Sequence, residues 1–231
     1  VNCLPLNEGE RRAFAKAARD VPQEFVGDEA HRGDMVWSAA VPEELRSRAT
    51  AVIGNFPVSQ ASQYTRLEWL QTFSAGVDAY ICPGVLPRGT MVTNASGAYG
   101  QSVSEHMFAT MWALMKNLNR YASNQRDHQW QDEGPVLSPE GGIALIIGVG
   151  DIGSHFAQLA QSVGMRTFGV RRHADVPAKG IEKMYGFERL ETLLPLADVV
   201  AMAVPRSPQT HHLLNADRLG RLKSTAIVIN A

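Results

Sequence analysis

The run Gly148-Val149-Gly150-Asp151-Ile152-Gly153 follows the apolar stretch Ile143-Ala144-Leu145-Ile146-Ile147 and precedes an amphipathic segment carrying Phe156, Leu159, Ala160 and Val163. Glycine at this G-x-G-x-x-G spacing has a defined chemistry. The first allows a tight turn, the second lets a pyrophosphate approach the backbone, and the third lets the helix pack closely on its strand. Free N–H groups at the helix start, those of Asp151 and Ile152, would face the phosphates, where the helix dipole also favours negative charge. A purely structural glycine turn is the alternative. The strand before, the helix after and a further strand at Arg166 to Val170 supply the context that a dinucleotide site requires.

Such sites usually carry an acidic residue at the end of the second strand, where it accepts hydrogen bonds from ribose hydroxyls. This chain has Arg171-Arg172-His173 there. No carboxylate stands in that place to repel a 2′-phosphate, and guanidinium groups bind phosphate through paired, charge-assisted bonds. The expectation is NADP in preference to NAD, with two solvated surface arginines as the alternative. A second chemical feature lies earlier, where Gln71-Thr72-Phe73-Ser74-Ala75-Gly76-Val77-Asp78 leaves a strand through small residues. A loop of this composition can aim successive N–H groups at an anion such as a carboxylate, although alone it also fits an ordinary strand-end turn.

The elements that must position these residues alternate between short β-like runs and helical patterns. Val1 to Leu6 reads as a strand followed by a helix over Glu8 to Arg19, and further strands are expected at Ala51 to Gly54, Leu67 to Phe73 and Met91 to Asn94. Val103, Met107, Met111, Leu114, Met115 and Leu118 keep helical spacing over Gln101 to Leu118, which predicts the longest helix of the chain. The methionines fit core or dimer packing. Asn119 to Gly142, with Gly134-Pro135 and Ser138-Pro139, reads as a connection. A second series then places strands at Ile143 to Ile147, Arg166 to Val170, Val199 to Val204 and Ala226 to Ile229, with a weaker candidate at Lys183 to Tyr185. Helices fall between them at about Ile152 to Val163, Leu190 to Leu194 and Ala216 to Leu222. Alternation of this kind predicts an α/β protein with two parallel-sheet domains, residues 1–97 and, with the glycine run, a Rossmann-like domain over residues 98–231.

Composition excludes several other classes. The chain has 231 residues with 22 basic against 23 acidic side chains, so it presents no broad field for nucleic acid or an anionic membrane. Its apolar runs fall far short of the roughly 20 residues a membrane helix needs, and a soluble protein is expected. Residue 1 is valine, which suggests a processed chain or a fragment, and Val1 to Leu6 lack the basic region and long apolar run of an export signal, so export is not expected. Cys3 and Cys82 have no metal-like spacing and read as reduced core fillers of a cytoplasmic protein. His106 follows Glu105 on a helix and suits a structural role at its start, because adjacent helical residues diverge. His211-His212 has no cysteine or carboxylate at ligand spacing, so no metal is expected.

The glycine run, the loop Phe73 to Asp78 and the block Asn94…Gly97…Glu105-His106 together resemble the D-isomer-specific 2-hydroxyacid dehydrogenases. Ala203-Val204-Pro205-Arg206-Ser207-Pro208-Gln209-Thr210 and Leu222 to Asn230 extend the resemblance over almost the whole chain. It implies an oxidoreductase passing a hydride between a nicotinamide cofactor, NADP or NAD, and C2 of a small 2-keto or 2-hydroxy acid, in a cleft between a flavodoxin-like substrate domain, residues 1–97, and a nucleotide domain. Carried over, Ser74, Ala75, Gly76 and Val77 would hold the substrate carboxylate, and Gly148, Gly150, Asp151, Ile152 and Gly153 the pyrophosphate. Arg171 and Arg172 would sit at the adenosine ribose, and Val204, Pro205 and Thr210 would line the cofactor. The region 101–142 resembles the family's dimer contact, which implies a homodimer.

The sequence departs from the family at its end. The family's catalytic Arg follows the strand ending in Ile-Asn, with an acid and a His later, and this chain stops at Ala231. The His would serve as general acid or base at the C2 oxygen, the acid would tune it, and the Arg would polarise the substrate. No catalytic residue is therefore expected within these residues, and the nucleotide sheet is expected to lack its last strands. The expectation is a truncated enzyme, inactive by itself; the alternative is a cofactor-sensing interaction protein of the same fold.

Overall fold

A computed structural model describes residues 1–34 and 37–231. The chain divides into two units, Val1–Ser96 and Gly97–Ala231. The first holds α1 (Glu8–Ala18), α2 (Glu43–Arg46) and three short strands, β1 (Ala51–Ile53), β2 (Trp69–Gln71) and β3 (Met91–Thr93). The strands pair in parallel in the order β1-β2-β3. Helix α1 begins where Asn7 and Glu10 form a reciprocal capping box, each side chain accepting from the other's backbone N–H. The Glu10 carboxylate also clasps Arg32 at 2.5 and 2.6 Å, and that pairing, with the Asn7 N–H, holds its pKa down at about 2.

The predicted first strand is only partly formed. Asn2 makes isolated parallel bridges to Phe25 and Ile53, and no ladder continues from it. Pro5 has no N–H to donate, and the Leu4 N–H turns back to the Asn2 side chain, so pairing ends within a few residues. Cys3 is fully buried in this unit's core with Val52, Phe56, Tyr64 and Leu70, and burial pushes its thiol up to about 12. Cys82 is exposed, so it is not a core filler; its Sγ donates to the Asp78 carbonyl instead.

The second unit opens with α3 (Gly100–Met115) and α4 (Leu118–Arg126), followed by β4 (Ile143–Ile147), α5 (Asp151–Ser162), β5 (Arg166–Val170) and β6 (Lys183–Tyr185). It ends with α6 (Leu190–Leu193), β7 (Val199–Met202), α7 (Ala216–Gly220) and β8 (Ile227–Asn230). All five strands are parallel, in the order β6-β5-β4-β7-β8. The central strand β4 alternates between two cores. Ala144 and Ile146 join Phe156, Ala157 and Ala160 of α5 on one face, while Leu145 and Ile147 meet Leu190, Leu193 and Leu194 on the other. A strand covered on both sides has no polar face, which is why it reads as a continuous apolar run.

Helix α3 stops earlier than its periodicity predicts. Asn117 takes a left-handed conformation (φ 53°, ψ 28°), which ends one helix and starts α4 inside a stretch that reads as a connection. Helix α4 buries no residue, so no apolar stripe announces it. Polar contacts hold it instead, with Asn124 donating to Glu133 Oε1 at 2.6 Å and the Glu133 N–H donating to the Tyr121 hydroxyl. Met107, Met111 and Met115 lie along the buried face of α3, at 2, 0 and 2 % exposure, in the core shared with α5 and β4. They are core residues.

Cys3 and Cys82 differ enough in burial to be told apart by labelling. A maleimide at neutral pH is expected to modify one thiol per native chain, Cys82, and both in denaturant; counting adducts by mass checks it. Rapid native labelling of Cys3 would contradict the burial described.

Candidate functional site

The site in the second unit forms where the parallel strands end. Pairing continues one residue past each strand: Gly148 N–H donates to Val170 O, Arg171 N–H to Tyr185 O and Ala203 N–H to Ile147 O. This brings the glycine run, Arg171 and the segment after β7 to one edge of the sheet, the usual ligand side of an open parallel sheet.

Each glycine of the run has its own local reason. Gly148 has φ +93°, and a Cβ there would lie 2.3 Å from Ala203 O, so the turn excludes any side chain. A Cβ on Gly153 would lie 2.1 Å from Gly148 O, which is how α5 approaches its strand. Gly150 differs, because nothing lies within 4 Å of the position a Cβ would take. That space is open above the backbone, as a phosphate would need. Gly150 is also the N-cap of α5 and makes no side-chain cap, unlike Asn7 on α1. Among the described residues the N–H groups of Val149, Gly150, Asp151, Ile152 and Gly153 therefore donate to no protein acceptor. The Asp151 carboxylate turns toward Gly100, where a Cβ would meet it at 2.2 Å, and toward His155 Nδ1 at 3.4 Å. Its amide is left to the edge.

Arg171 and Arg172 are adjacent but differently engaged. The Arg171 guanidinium is half-buried and donates to three carbonyls, those of His173 (2.9 Å), Val149 (3.4 Å) and Val176. Arg172 is exposed and makes no hydrogen bond or ion pair among the described residues. After β7, the Thr210 hydroxyl donates to Pro205 O at 2.6 Å, and Thr210 and Ser207 exchange further bonds that close the turn. Val204 packs against the core beneath Gly148, and Pro205 is exposed.

The loop after β2 lies in the first unit. Three successive carbonyls are taken: Ser74 O accepts from the Thr72 hydroxyl and the Ala95 N–H, Ala75 O from Asn94 Nδ2, and Gly76 O from the Ser74 hydroxyl. A trans peptide puts C=O and the next N–H on opposite sides. Anchoring these carbonyls thus turns the N–H groups of Ala75, Gly76 and Val77 away from the protein, and among the described residues they have no acceptor. Three such amides in succession are open to an acceptor such as a carboxylate. Asn55 completes the frame, donating to the Ser74 hydroxyl and accepting from the Phe73 N–H. Sequence reasoning did not single out Asn55, whose only signal is its place after Gly54 at the end of β1. His106 lies within α3 and is exposed, not at its start, and no group of three or more His, Cys, Asp or Glu among the described residues could hold a metal ion. No helix among them is long and apolar enough to cross a membrane.

A five-stranded parallel sheet with an uncapped glycine turn at its central strand defines a Rossmann-like dinucleotide-binding unit. The comparisons agree: residues 108–231 match the family described as D-isomer specific 2-hydroxyacid dehydrogenase, NAD binding domain, and the chain belongs to that family. It is similar to a glycerate dehydrogenase of Methylorubrum extorquens (27 % identity over 199 residues, covering 82 % of this chain and 60 % of the relative). It is also similar to a glyoxylate reductase of Thermofilum pendens (29 % identity, 71 % of this chain and 50 % of the relative). The chain thus spans half to three fifths of the length of these curated relatives. Among solved structures, a D-isomer specific 2-hydroxyacid dehydrogenase family protein from Aeromonas salmonicida superposes with a TM-score of 0.78 at 27 % identity, covering 99 % of this chain and 71 % of that one. A D-lactate dehydrogenase from Aquifex aeolicus, crystallised with NAD and lactic acid, shares the fold at a TM-score of 0.74 and 21 % identity.

The surroundings of the three glycines differ enough to be read by substitution. Gly153→Ala is expected to lower stability by about 1–3 kcal/mol, because the clash is with backbone. Gly150→Ala meets no atom and is expected to leave the melting temperature within a few degrees of wild type; thermal unfolding of both variants checks this.

Proposed function

We propose that the protein is the nucleotide-binding and substrate-binding part of an oxidoreductase acting on small 2-keto or 2-hydroxy acids, with NADPH preferred over NADH. The observation that carries this reading is the row of unpartnered amides from Val149 to Gly153 around the open position of Gly150. Gly148, Gly150, Asp151, Ile152 and Gly153 hold the pyrophosphate in this reading, and Val204, Pro205 and Thr210 line the cofactor. Arg171 and Arg172 stand where a ribose-binding carboxylate would be, and the charge they bring favours a 2′-phosphate. The nicotinamide, when bound, supplies or accepts the hydride at C2 of the acid.

The 1–97 domain serves as the substrate domain. Its amides at Ala75, Gly76 and Val77, framed by Ser74, bind the acid's carboxylate and orient it. The resemblance assigns proton transfer at the C2 oxygen to an Arg, an acid and a His that follow the strand ending in Asn230. Turnover is therefore proposed for a polypeptide that carries them, and cofactor binding without turnover for these 231 residues alone. The relatives named glycerate dehydrogenase and glyoxylate reductase support a small 2-hydroxy or 2-keto acid as substrate. Exposed apolar side chains at Leu114, Leu118, Trp130, Val136 and Leu137 support a second copy of the chain as partner through residues 101–142. Two free thiols support a cytoplasmic setting.

Fluorescence titration with both reduced dinucleotides tests the cofactor reading. NADPH is expected to bind at least about tenfold more tightly than NADH, the scale of one charge-assisted phosphate contact. Equal affinities would remove the preference. Ketoacid-dependent NADPH oxidation by a version extended past residue 231 would support the enzyme, whereas cofactor binding with no turnover in that version would favour the sensing role.

A further inference from the structure

We infer that Arg171 is a positioning residue for the glycine turn and not a phosphate ligand, so that discrimination at the adenosine end falls to Arg172. This deepens the proposed cofactor reading and rests on it. A guanidinium clasps a phosphate side-on, with its Nε–H and one terminal N–H, or end-on, with its two terminal nitrogens. In Arg171 the side-on edge is spent, with Nε donating to His173 O at 2.9 Å and Nη2 to Val176 O, so that only an end-on pair drawn from already engaged nitrogens is left. The remaining terminal nitrogen donates across the sheet edge to Val149 O at 3.4 Å. One side chain thus ties the segment after β5 to the middle of the G-x-G turn.

The effect on the turn follows from the peptide geometry. Fixing Val149 O on the protein side points the next N–H, that of Gly150, to the opposite side. The Val149 side chain is fixed as well. It is 6 % exposed and fills the space left by Gly169, where a Cβ would meet Val149 Cγ2 at 2.8 Å. Carbonyl and side chain are both held, so the Gly150 amide is aimed before any ligand arrives. The backbone of Arg171 is itself pinned, since its N–H donates to Tyr185 O at 3.0 Å. Arg172 is exposed, carries the same charge and has all its donors free among the described residues.

The test compares wild type with Arg171→Met, Arg171→Lys and Arg172→Gln in two measurements. Titration with NADH and NADPH is expected to show Arg171→Met weakening both by a similar factor, about tenfold, because the pyrophosphate is common to them. Arg172→Gln is expected to weaken NADPH selectively. Backbone order parameters of Val149 and Gly150 without cofactor are expected to fall from about 0.85 to below about 0.6 in Arg171→Met, with partial recovery in Arg171→Lys, which keeps a single charged donor nitrogen. A merely stabilising residue would lower the melting temperature without this local loss. Selective loss of NADPH in Arg171→Met, with order parameters unchanged, would overturn the inference. If Arg171→Met does not fold, Arg171→Lys carries the same comparison. Should wild type bind neither dinucleotide, the cofactor reading fails and the order parameters alone decide: a local drop supports the positioning role, and no change overturns it.

Discussion

The architecture of the second unit follows from one constraint, that all five of its strands run the same way. Parallel strands cannot be joined by hairpins, so each connection crosses a face of the sheet and covers it. The centre of the sheet is thereby covered on both faces, and β4 is apolar along its whole length. The same constraint sends every C-terminal strand end to one edge, where the chain must turn without a side chain to spare. Gly148 is needed because Ala203 O of the neighbouring strand end already occupies the space beside it. The turn, and the free amides it leaves, are products of sheet direction before they are features of any ligand site.

The two units use one device to present amides. In the first, the carbonyls of Ser74, Ala75 and Gly76 are taken by hydroxyl, amide and backbone donors from the segments that follow β2 and β3. In the second, the Val149 carbonyl is taken by Arg171 from the end of β5. Each anchored carbonyl directs the next N–H outward, so a polar side chain on a neighbouring strand end sets the direction of an amide it never touches. This costs little, because every bond satisfies a carbonyl that would otherwise need water.

How far the sequence discloses this depends on range. Strands β4 and β5 are legible to the residue, β4 because burial on both faces gives an unbroken apolar run, and Lys183–Tyr185 does join the sheet as its edge. The glycine turn is legible because three local constraints fall at fixed spacing. Helix α4 is not, since it buries nothing and only the backbone of Asn117 marks its start. The short bridge at Asn2 depends on Phe25 and Ile53, which no local pattern connects to it. The frame around Ser74 is hidden for the same reason, because Asn55 and Asn94 approach it from other strands. The inward turn of Arg171 is hidden too, as two adjacent arginines look alike in sequence and only packing separates them.

The methionine face of α3 has a chemical consequence. Three thioethers at Met107, Met111 and Met115 are sealed against α5 and β4, and a thioether that gains an oxygen becomes polar and chiral. An oxidant reaches them only when α3 lifts from the sheet, and a sulfoxide formed then could not reseat in an apolar core. Oxidative damage to this helix would accumulate with opening events and persist until the sulfoxides are reduced, so the lifetime of the nucleotide-binding unit under oxidative stress is set by how often its first helix opens.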